Sequence, residues 1–498
     1  MAGIRRNVTG SMMATVLVCL SLTPSLLPRT WITQGIVSGL CAVTGYALGC
    51  LLSRLAGLVV EVRVPRWAWP SFIAVAVPTT AFFTYRGWCW QQEISGLIGV
   101  PGPSPVTWPA LLPVTAAILA GAVGAGRLLR RVVTSLQHRE HRHRAAAAVV
   151  AFCTLAPAGA VGAPGPLDTL SQALDRRVTG AVAPVEATRS GSPTSFAPWD
   201  TLGREGRSFV TSGRSPHATQ PIRVYVGLRT APTARDRARV AVAELQRTGA
   251  FRRKALCLVI PTGTGWIDEP TVQALEAEYD GDTAVVVVQY GALPSWLSLL
   301  TEPDQAEESA HDLLDEVHQV WSRLPAGTRP KLLLYGHSQG ALAAQSPFDS
   351  AGGLLGEVDG ALISGPPNAS PLWNGLVGAR SRTSTEVAPD LPGQPGVRFA
   401  TGPADLTGPS HPRLVFLQHS TDPVVWWSTD LILRRPDWLR ERRGAAVLPA
   451  VRWIPLVTFW QVSGDLLKAL DVPAGYGHGY GDEAPAAWRL IIGRTSAG

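Results

Sequence analysis

Five long apolar runs lie in the first third of this 498-residue chain, and they constrain its fold more than any other feature. The runs lie near residues 10 to 28, 35 to 52, 69 to 85, 107 to 126 and 145 to 163. Each is close to the ~20 residues that a helix needs to cross a lipid bilayer. The runs are apolar all round, unlike the surface helices of soluble proteins, and a cleaved signal peptide would account only for the first. The sequence therefore predicts an α-helical, multi-span transmembrane domain over residues 1–166.

The arginines of this domain predict its orientation, because Lys and Arg near membrane ends tend to stay on the cytoplasmic side. They cluster in alternate loops: before the first run, between the second and third, and in residues 126–144 between the fourth and fifth. An inside N-terminus and five crossings then place everything after about residue 166 outside. The prediction is a multi-pass cell-membrane protein whose larger part is extracytoplasmic.

The positive net charge of the chain, +7, comes from the same first third. Residues 1–166 contain 13 arginines and only three acidic residues, whereas the remainder is slightly negative. No basic stretch is interleaved with stacking aromatics, so the predicted partner is the lipid bilayer and not nucleic acid. Three histidines of the basic loop, His138, His141 and His143, have no cysteine or acidic cluster beside them, which favours a solvated loop over a metal site. The pattern does not indicate an oligomeric state.

The sequence pattern changes beyond residue 166. Residues 167–189 are rich in Gly, Pro, Ala and Ser and are predicted to be a juxtamembrane linker. Residues 190–498 contain β-branched runs that begin at 222, 255, 284, 331, 360 and 413 and alternate with helical stretches. Runs that are apolar on both faces are typical of a parallel sheet covered by helices. This part is therefore predicted to be a doubly wound, mostly parallel α/β domain.

The fourth run leads into Gly336-His337-Ser338-Gln339-Gly340, which is followed by the helical stretch ALAAQS. A serine between a strand and a helix, with small residues on both sides, is typical of a nucleophile elbow. A serine hydroxyl needs a base to take its proton and a carboxylate to orient that base. These partners are expected downstream, the acid first and the histidine second.

The candidates for both partners follow from chain order. His478 is the single histidine after residue 422, so it is the predicted base. Asp422, directly after the sixth run, is the preferred acid, and Asp430, Asp465 and Asp471 stay open as alternatives.

The stretch LVIPTGTGW places a loop of small residues after the second run. An acyl-transfer site needs main-chain donors for the developing oxyanion, one from the residue after the nucleophile and one from such a loop. The predicted donors are the amide of Gln339 and that of Gly263 or Thr264. A phosphate-binding loop is disfavoured because no Lys-Ser/Thr pair follows. Neither a cofactor nor a metal is predicted.

At these residues the chain resembles the actinobacterial membrane-bound α/β-hydrolases, which join an N-terminal multi-span domain to a C-terminal hydrolase domain. The stretches that carry the resemblance include SLTPSLLPR, IPTGTGWIDEP, LQHSTDPVVWWSTDLILRRPDWLRE and PAGYGHGYG, and together they span nearly the whole chain. The resemblance implies an α/β-hydrolase fold with a serine-centred site at Ser338, Asp422 and His478. The elbow departs from the usual family pattern, an acidic residue before the serine and leucine after it, which concerns substrate preference.

Tryptophans are frequent near the predicted site segments, at positions 266, 296, 373, 426, 427, 438, 453 and 460. Core packing explains most of these tryptophans equally well, and two or three at most are assigned to the pocket. Large aromatic faces suit an acyl chain, and a site tethered to a membrane meets lipids first. The sequence therefore predicts a membrane-anchored serine hydrolase that cleaves an ester or thioester of a hydrophobic, lipidic substrate through an acyl-enzyme. The alternative is a catalytically inactive α/β-hydrolase fold that serves as a binding or scaffolding module at the cell surface.

Overall fold

The computed structural model describes residues 7–59, 65, 67–137, 180–213, 219–293, 303–408 and 410–494. The chain divides into two compact units. The first combines Met1–Gly165 with Trp427–Pro473, and the second combines Pro166–Trp426 with Ala474–Gly498. The predicted domains were continuous stretches of sequence, and residues 427–473 fell in the second of them, residues 190–498. The two units differ from this division because Trp427–Pro473 belongs to the first unit.

The first unit is helical in the part that the structure describes. Its α-helices span Val8–Ser21, Trp31–Val59, Ala68–Ile98, Leu111–Gln137 and Val457–Leu466. Small residues bring the first two helices together: a Cβ added to Gly45 would lie 2.6 Å from the carbonyl oxygen of Met13. Close backbone approach through small residues is typical of packed membrane helices.

Two of these helices are long and apolar enough to cross a membrane, over Trp31–Leu58 and Trp108–Arg131. Val8–Ser21 is apolar but shorter, and the Ala68–Ile98 helix, which contains Pro78, is not among the two. The fifth predicted span, residues 145–163, lies outside the described residues. A multi-span domain therefore stays a prediction.

A buried ion pair explains why Trp427–Pro473 belongs to the first unit. Arg29 Nε donates to Asp465 Oδ1 at 2.8 Å, and both side chains are fully buried. The Ser25 hydroxyl and the Leu26 amide also donate to the Asp465 carboxylate, and Arg29 Nη2 donates to the carbonyl of Gln461 at 2.7 Å. Because a buried carboxylate needs several donors, the Val457–Leu466 helix is held against the N-terminal helices.

The second unit contains a seven-stranded parallel sheet in the order β1-β3-β2-β4-β5-β7-β6. The strands are β1 Ile222–Val226, β2 Ala255–Ile260, β3 Thr283–Val288, β4 Lys331–His337, β5 Gly360–Ser364, β6 Val397–Ala400 and β7 Leu414–Leu417. All six predicted strands are present, and β1, β2 and β3 are buried along their whole length. The edge strand β6, which has four residues and is only half buried, was not predicted from the sequence.

Helices alternate with these strands, as the predicted doubly wound architecture requires. Those of the second unit are Gly203–Thr211, Ala234–Thr248, Glu269–Glu278, Pro303–Trp321, Gln339–Gln345, Ala351–Glu357, Pro371–Gly378, Pro423–Trp426 and Ala484–Ile492. Pro303–Trp321 is the helix expected after the third strand, and its Leu313 and Val317 are buried. Since parallel strands share one direction, the loops after β2, β4, β5 and β7 meet at the same edge of the sheet.

Candidate active site

Ser338 stands at the sharp turn between β4 and the Gln339–Gln345 helix. Its backbone has φ 56° and ψ −125°, a strained conformation for a residue with a side chain. The glycines on either side permit this turn. A Cβ on Gly336 would lie 2.5 Å from the carbonyl oxygen of Gly340, and one on Gly340 would lie 2.1 Å from that of Ile260. The small residues of the motif are therefore required by close backbone packing.

Asp422 follows β7, and His478 lies in the glycine-rich loop before the last helix. His478 Nδ1 is 2.6 Å from Asp422 Oδ2, and both side chains are buried. A carboxylate is only an acceptor, so Nδ1 donates and Nε2 is left as the nitrogen with a free lone pair. The other carboxylate oxygen, Oδ1, accepts from the amide of Val424 at 2.8 Å. This arrangement orients the imidazole in the tautomer that a general base needs.

The loop after β5 brings the serine and the histidine into the same neighbourhood. The Ser338 amide donates to the carbonyl of Ser364 at 3.0 Å. The next residue, Gly365, has φ +55°, and a Cβ there would lie 2.5 Å from Cε1 of His478. His478 Nε2 is buried and has no hydrogen-bond partner in the part of the chain that the structure describes. Hydrogen bonds between nucleophile and base are often long until substrate is bound, so this geometry leaves Nε2 available.

The competing acids have other partners. Asp465 is held by Arg29, whereas Asp430 and Asp471 are exposed and pair with Arg434 and Lys468. All three belong to the first unit of the chain. Of the four candidates, Asp422 is the one that the structure brings to His478.

The loop after β2 is held in a tight turn. The amide of Thr262 donates to the carbonyl of Trp266 at 3.0 Å, and the amide of Gly265 donates to that of Thr262 at 2.8 Å. Gln289, which follows β3, donates from Nε2 to the carbonyl of Thr264 at 3.2 Å. Because the first turn of the elbow helix packs on the end of β2, this loop and the amide of Gln339 lie at the same end of the sheet.

His337 is an uncharged neighbour of the predicted base. Its ring centroid lies 4.5 Å from that of His478 and 5.5 Å from that of Trp266. Neither ring nitrogen has a hydrogen-bond partner among the described residues. Burial, together with the nearby His478, holds the pKa of His337 well below its ordinary value. His337 is therefore neutral at physiological pH.

Asp268 is an acid of this neighbourhood that the sequence analysis did not select. It stands at the start of the Glu269–Glu278 helix and accepts a hydrogen bond from the Thr271 hydroxyl. Burial raises the pKa of its carboxyl, and hydrogen bonds from Thr271 and the charge of His478 act in the opposite direction.

Three further residues that surround the predicted acid and base, Tyr480, His419 and Glu483, were also not predicted from the sequence. The Tyr480 hydroxyl donates to Asp422 Oδ2 at 2.6 Å, and His419 contacts both Glu483 and the carbonyl of Gly477. The only signal in the sequence is their position, within a few residues of Asp422 or His478. Side-chain type gave no reason to select them, since a tyrosine in a glycine-rich loop usually reads as a surface residue.

The tryptophans near the predicted site segments lie in different parts of the structure, and two of them are core residues. Trp373 and Trp426 are fully buried and pack against each other, so they belong to the core. Those at 427, 438, 453 and 460 belong to the first unit, and Trp296 lies outside the described residues. Trp266 contacts the ring of His337 next to the predicted base.

No group of three or more His, Cys, Asp or Glu side chains is placed to hold a metal ion within the described ranges. His138, His141 and His143 lie outside those ranges. The side chains that the described part of the site brings together are those of a serine, an imidazole and a carboxylate.

A parallel sheet with a serine on a strand–turn–helix elbow, followed by an acid and then a histidine, is the plan of the α/β-hydrolases. A family profile described as alpha/beta-hydrolase family matches residues 222–497, and one for the N-terminus of the same family matches residues 22–213. The chain belongs to this alpha/beta-hydrolase family. No curated protein and no solved structure gives a significant match.

Proposed function

We propose that the protein is a serine hydrolase that cleaves an ester or thioester through a Ser338-Asp422-His478 triad. The observation that carries the proposal is the 2.6 Å contact between His478 Nδ1 and Asp422 Oδ2, next to a serine in a strained elbow. Family membership supports a hydrolase-type fold. The expected donors to the oxyanion are the amide of Gln339 and that of Gly263 or Thr264.

The reaction proceeds in two stages. Ser338 Oγ attacks the substrate carbonyl while His478 Nε2 takes the hydroxyl proton, and the main-chain amides stabilise the oxyanion. The tetrahedral intermediate collapses, the bond to the leaving group breaks, and the leaving alcohol or thiol takes the proton from Nε2. Water then attacks the acyl-enzyme by the same route, which releases the acid and restores Ser338. Asp422 keeps the imidazole oriented and stabilises its protonated form in both stages.

A fluorophosphonate probe tests this assignment. We expect it to label the purified full-length protein at Ser338, and labelling should decline below about pH 6 because a protonated imidazole cannot act as a base. Ser338→Ala should abolish labelling, and His478→Ala should lower the rate at least about a hundredfold. Ser346→Ala, at the end of the same helix, is the matched control and should label normally. Folded wild-type protein that resists the probe would instead support the binding-module alternative.

The second part of the proposal is that the first unit anchors the hydrolase in the cell membrane and that the substrate is lipidic. The apolar Trp108–Arg131 helix is mostly exposed. Leu58 is 82% exposed and Val75 is 66% exposed on two other helices of the unit. Large exposed apolar surfaces require a covering, and lipid provides one. A hydrolase held at a membrane encounters lipid esters first, and a lipid-ester panel assayed with the purified protein would identify the acyl and leaving groups.

Membrane topology can be tested separately. A reporter that is active only outside the cytoplasm, fused after Gly498, should be active, and the same reporter inserted within residues 127–144 should be silent. The expectation follows from the alternate clustering of the arginines. Activity of the loop fusion with silence of the C-terminal fusion would reverse the orientation.

A further inference from the structure

The carboxylate of Asp422 has a second side-chain donor besides the imidazole. Tyr480 Oη lies 2.6 Å from Asp422 Oδ2, the same oxygen that His478 Nδ1 contacts. The main-chain amide of His419 donates to Tyr480 Oη at 3.1 Å. Since the phenol oxygen accepts from this amide, its own proton is directed at the carboxylate. Tyr480 is fully buried, and burial raises the pKa of its hydroxyl well above the ordinary value, with the Asp422 charge adding to the effect. The hydroxyl is therefore a permanent donor.

The ring of Tyr480 is held by a second histidine–carboxylate pair. It stacks on the His419 ring with centroids 4.3 Å apart and planes 21° from parallel. His419 Nδ1 is 2.9 Å from the carbonyl of Gly477, and Nε2 is 3.1 Å from Glu483 Oε1. A carbonyl cannot donate, so Nδ1 carries a proton. With both nitrogens bonded and both side chains about 2% exposed, His419 cannot turn without breaking a buried contact.

The same contacts fix the residue before the predicted base. The carbonyl of Gly477 contacts His419, and its amide donates to the Thr421 hydroxyl at 2.9 Å. Both polar main-chain groups of Gly477 are thus held by the segment that carries Asp422. This connection therefore helps to set the distance between the acid and the base.

We propose that Tyr480 is a positioning residue of the triad, which fixes Asp422 Oδ2 for His478 and withdraws part of the carboxylate charge, and so sets the pH range in which His478 acts as a base. The inference rests on the proposed function. A donor to a carboxylate stabilises its charge locally and leaves less of it to stabilise the imidazolium. Removing the hydroxyl should therefore make His478 easier to protonate.

Other ionisable groups near His478 do not replace this contribution. His337, at the end of β4, is neutral and has no hydrogen-bond partner among the described residues. Asp268 acts on His478 through its charge, but burial raises the pKa of its carboxyl, which reduces that charge. The ring nitrogens of His419 contact Glu483 and the carbonyl of Gly477, and the carbonyl of His419 accepts from the amide of Asp422 and not from its side chain. Tyr480 alone among these groups donates to the carboxylate.

The test combines two readouts on full-length wild-type protein and Tyr480→Phe. The first is the rate of fluorophosphonate labelling at Ser338 between pH 5 and 9. We expect Tyr480→Phe to move the midpoint of the acidic limb upward by about half a pH unit or more and to lower the plateau rate by roughly tenfold. A merely structural tyrosine would lower the plateau without moving the midpoint. Tyr279→Phe, which removes a half-buried hydroxyl at the end of another helix, is the matched control and should leave both unchanged.

The second readout does not depend on activity. In protein labelled with 13C-histidine, the NMR signal that disappears in His478→Ala is followed as a function of pH. Its titration should move upward in Tyr480→Phe, and an unmoved titration in the folded variant overturns the role of Tyr480. Absence of labelling in wild-type protein would overturn the proposed function, and the NMR titration would still decide whether Tyr480 acts on His478.

A variant of opposite sign covers the case in which Tyr480→Phe does not fold. Site-specific replacement of Tyr480 by 3-fluorotyrosine keeps the ring and strengthens the donor. The titration of His478 should then move downward. An upward or absent shift would contradict the proposal.

Discussion

The carboxylate of Asp422 differs from those of the other candidate acids in the donors that surround it. It accepts from an imidazole, a phenol and a main-chain amide, and it is fully buried. A buried carboxylate with three donors is held in one orientation, which is what a triad acid requires. Asp430, in contrast, is exposed and contacts one arginine.

Replacing Asp422 by asparagine should therefore affect turnover and labelling far more than folding. We expect a drop of about 10⁴-fold, because the amide favours the wrong imidazole tautomer and removes the charge that stabilises the imidazolium. Asp430→Asn is the matched control and should retain full activity. Loss of activity in the control together with an active Asp422→Asn would show that the acid has been assigned wrongly.

His337 predicts a pH dependence of stability. Its pKa is lowered in the folded protein, so the unfolded chain binds a proton below about pH 6.5 that the folded chain does not. The free energy of unfolding should therefore decrease as the pH falls below 6.5, by up to about 1.4 kcal/mol per pH unit from this residue. His337→Gln removes the titration, so its melting temperature, followed by tryptophan fluorescence, should fall less between pH 7 and 5 than that of the wild type. Parallel curves for the two proteins would contradict this account.

At the scale of elements, the junction of β4 with the Gln339–Gln345 helix needs glycine at position 340 because a side chain would not fit there. The unusual backbone angles that glycine allows matter less at this position. The helix starts against the end of β2, and the only residue that fits at position 340 is one without a Cβ. Strand and helix can then be joined with no intervening loop, which exposes the serine at the turn.

Gly340→Ala should consequently distort the elbow. The added Cβ would lie 2.1 Å from the carbonyl oxygen of Ile260, a backbone atom that cannot move aside. We expect the free energy of unfolding to fall by about 1–3 kcal/mol. Probe labelling at Ser338 should fall as well, even in protein that is still folded, because the serine is displaced. Gly356→Ala, in a neighbouring helix where nothing lies within 4 Å, should be neutral or slightly stabilising. Equal behaviour of the two variants in chemical denaturation and labelling would contradict the packing explanation.

At the scale of the whole molecule, the first unit is formed from segments far apart in the sequence. Arg29 and Asp465 are separated by 436 residues and form a fully buried ion pair. Residues 427–473, which contain Asp465, lie in the sequence between the predicted acid and the predicted base. The first unit thus includes residues 427–473, which lie within the part of the sequence that matches the hydrolase family.

Breaking this pair should destabilise the first unit strongly. Asp465→Ala leaves the Arg29 charge buried without its partner, at a cost of about 3–5 kcal/mol. The double variant Arg29→Met, Asp465→Leu should recover most of the loss, because apolar residues of similar volume can replace a buried pair. Thermal unfolding in detergent measures both, and Asp430→Ala, which breaks an exposed pair, should resemble the wild type. A double variant no more stable than the single one would contradict the interpretation.

The sequence by itself determined the local features of this protein. Runs that are apolar on both faces predicted six of the seven strands, because a strand covered by helices on two sides has to be apolar throughout. The edge strand β6 escaped because it is short and half buried, so its composition is not distinctive. The elbow was predictable because its two glycines and its serine lie within five consecutive residues. Chain order supplied the same histidine and preferred acid that the structure brings together. The triad itself stays a prediction until it is tested.

Only the tertiary structure decided which distant residues meet. Four aspartates were considered as the acid, and their spacing could not show that Asp465 pairs with Arg29 while Asp422 reaches His478. The same limit applies to Tyr480 and His419, whose roles come from a hydroxyl and a ring placed next to Asp422 by folding. It also applies to residues 427–473, which join a unit that begins more than 400 residues earlier. Local periodicity reports how a segment is buried, whereas contacts between segments depend on geometry that no single stretch of sequence contains.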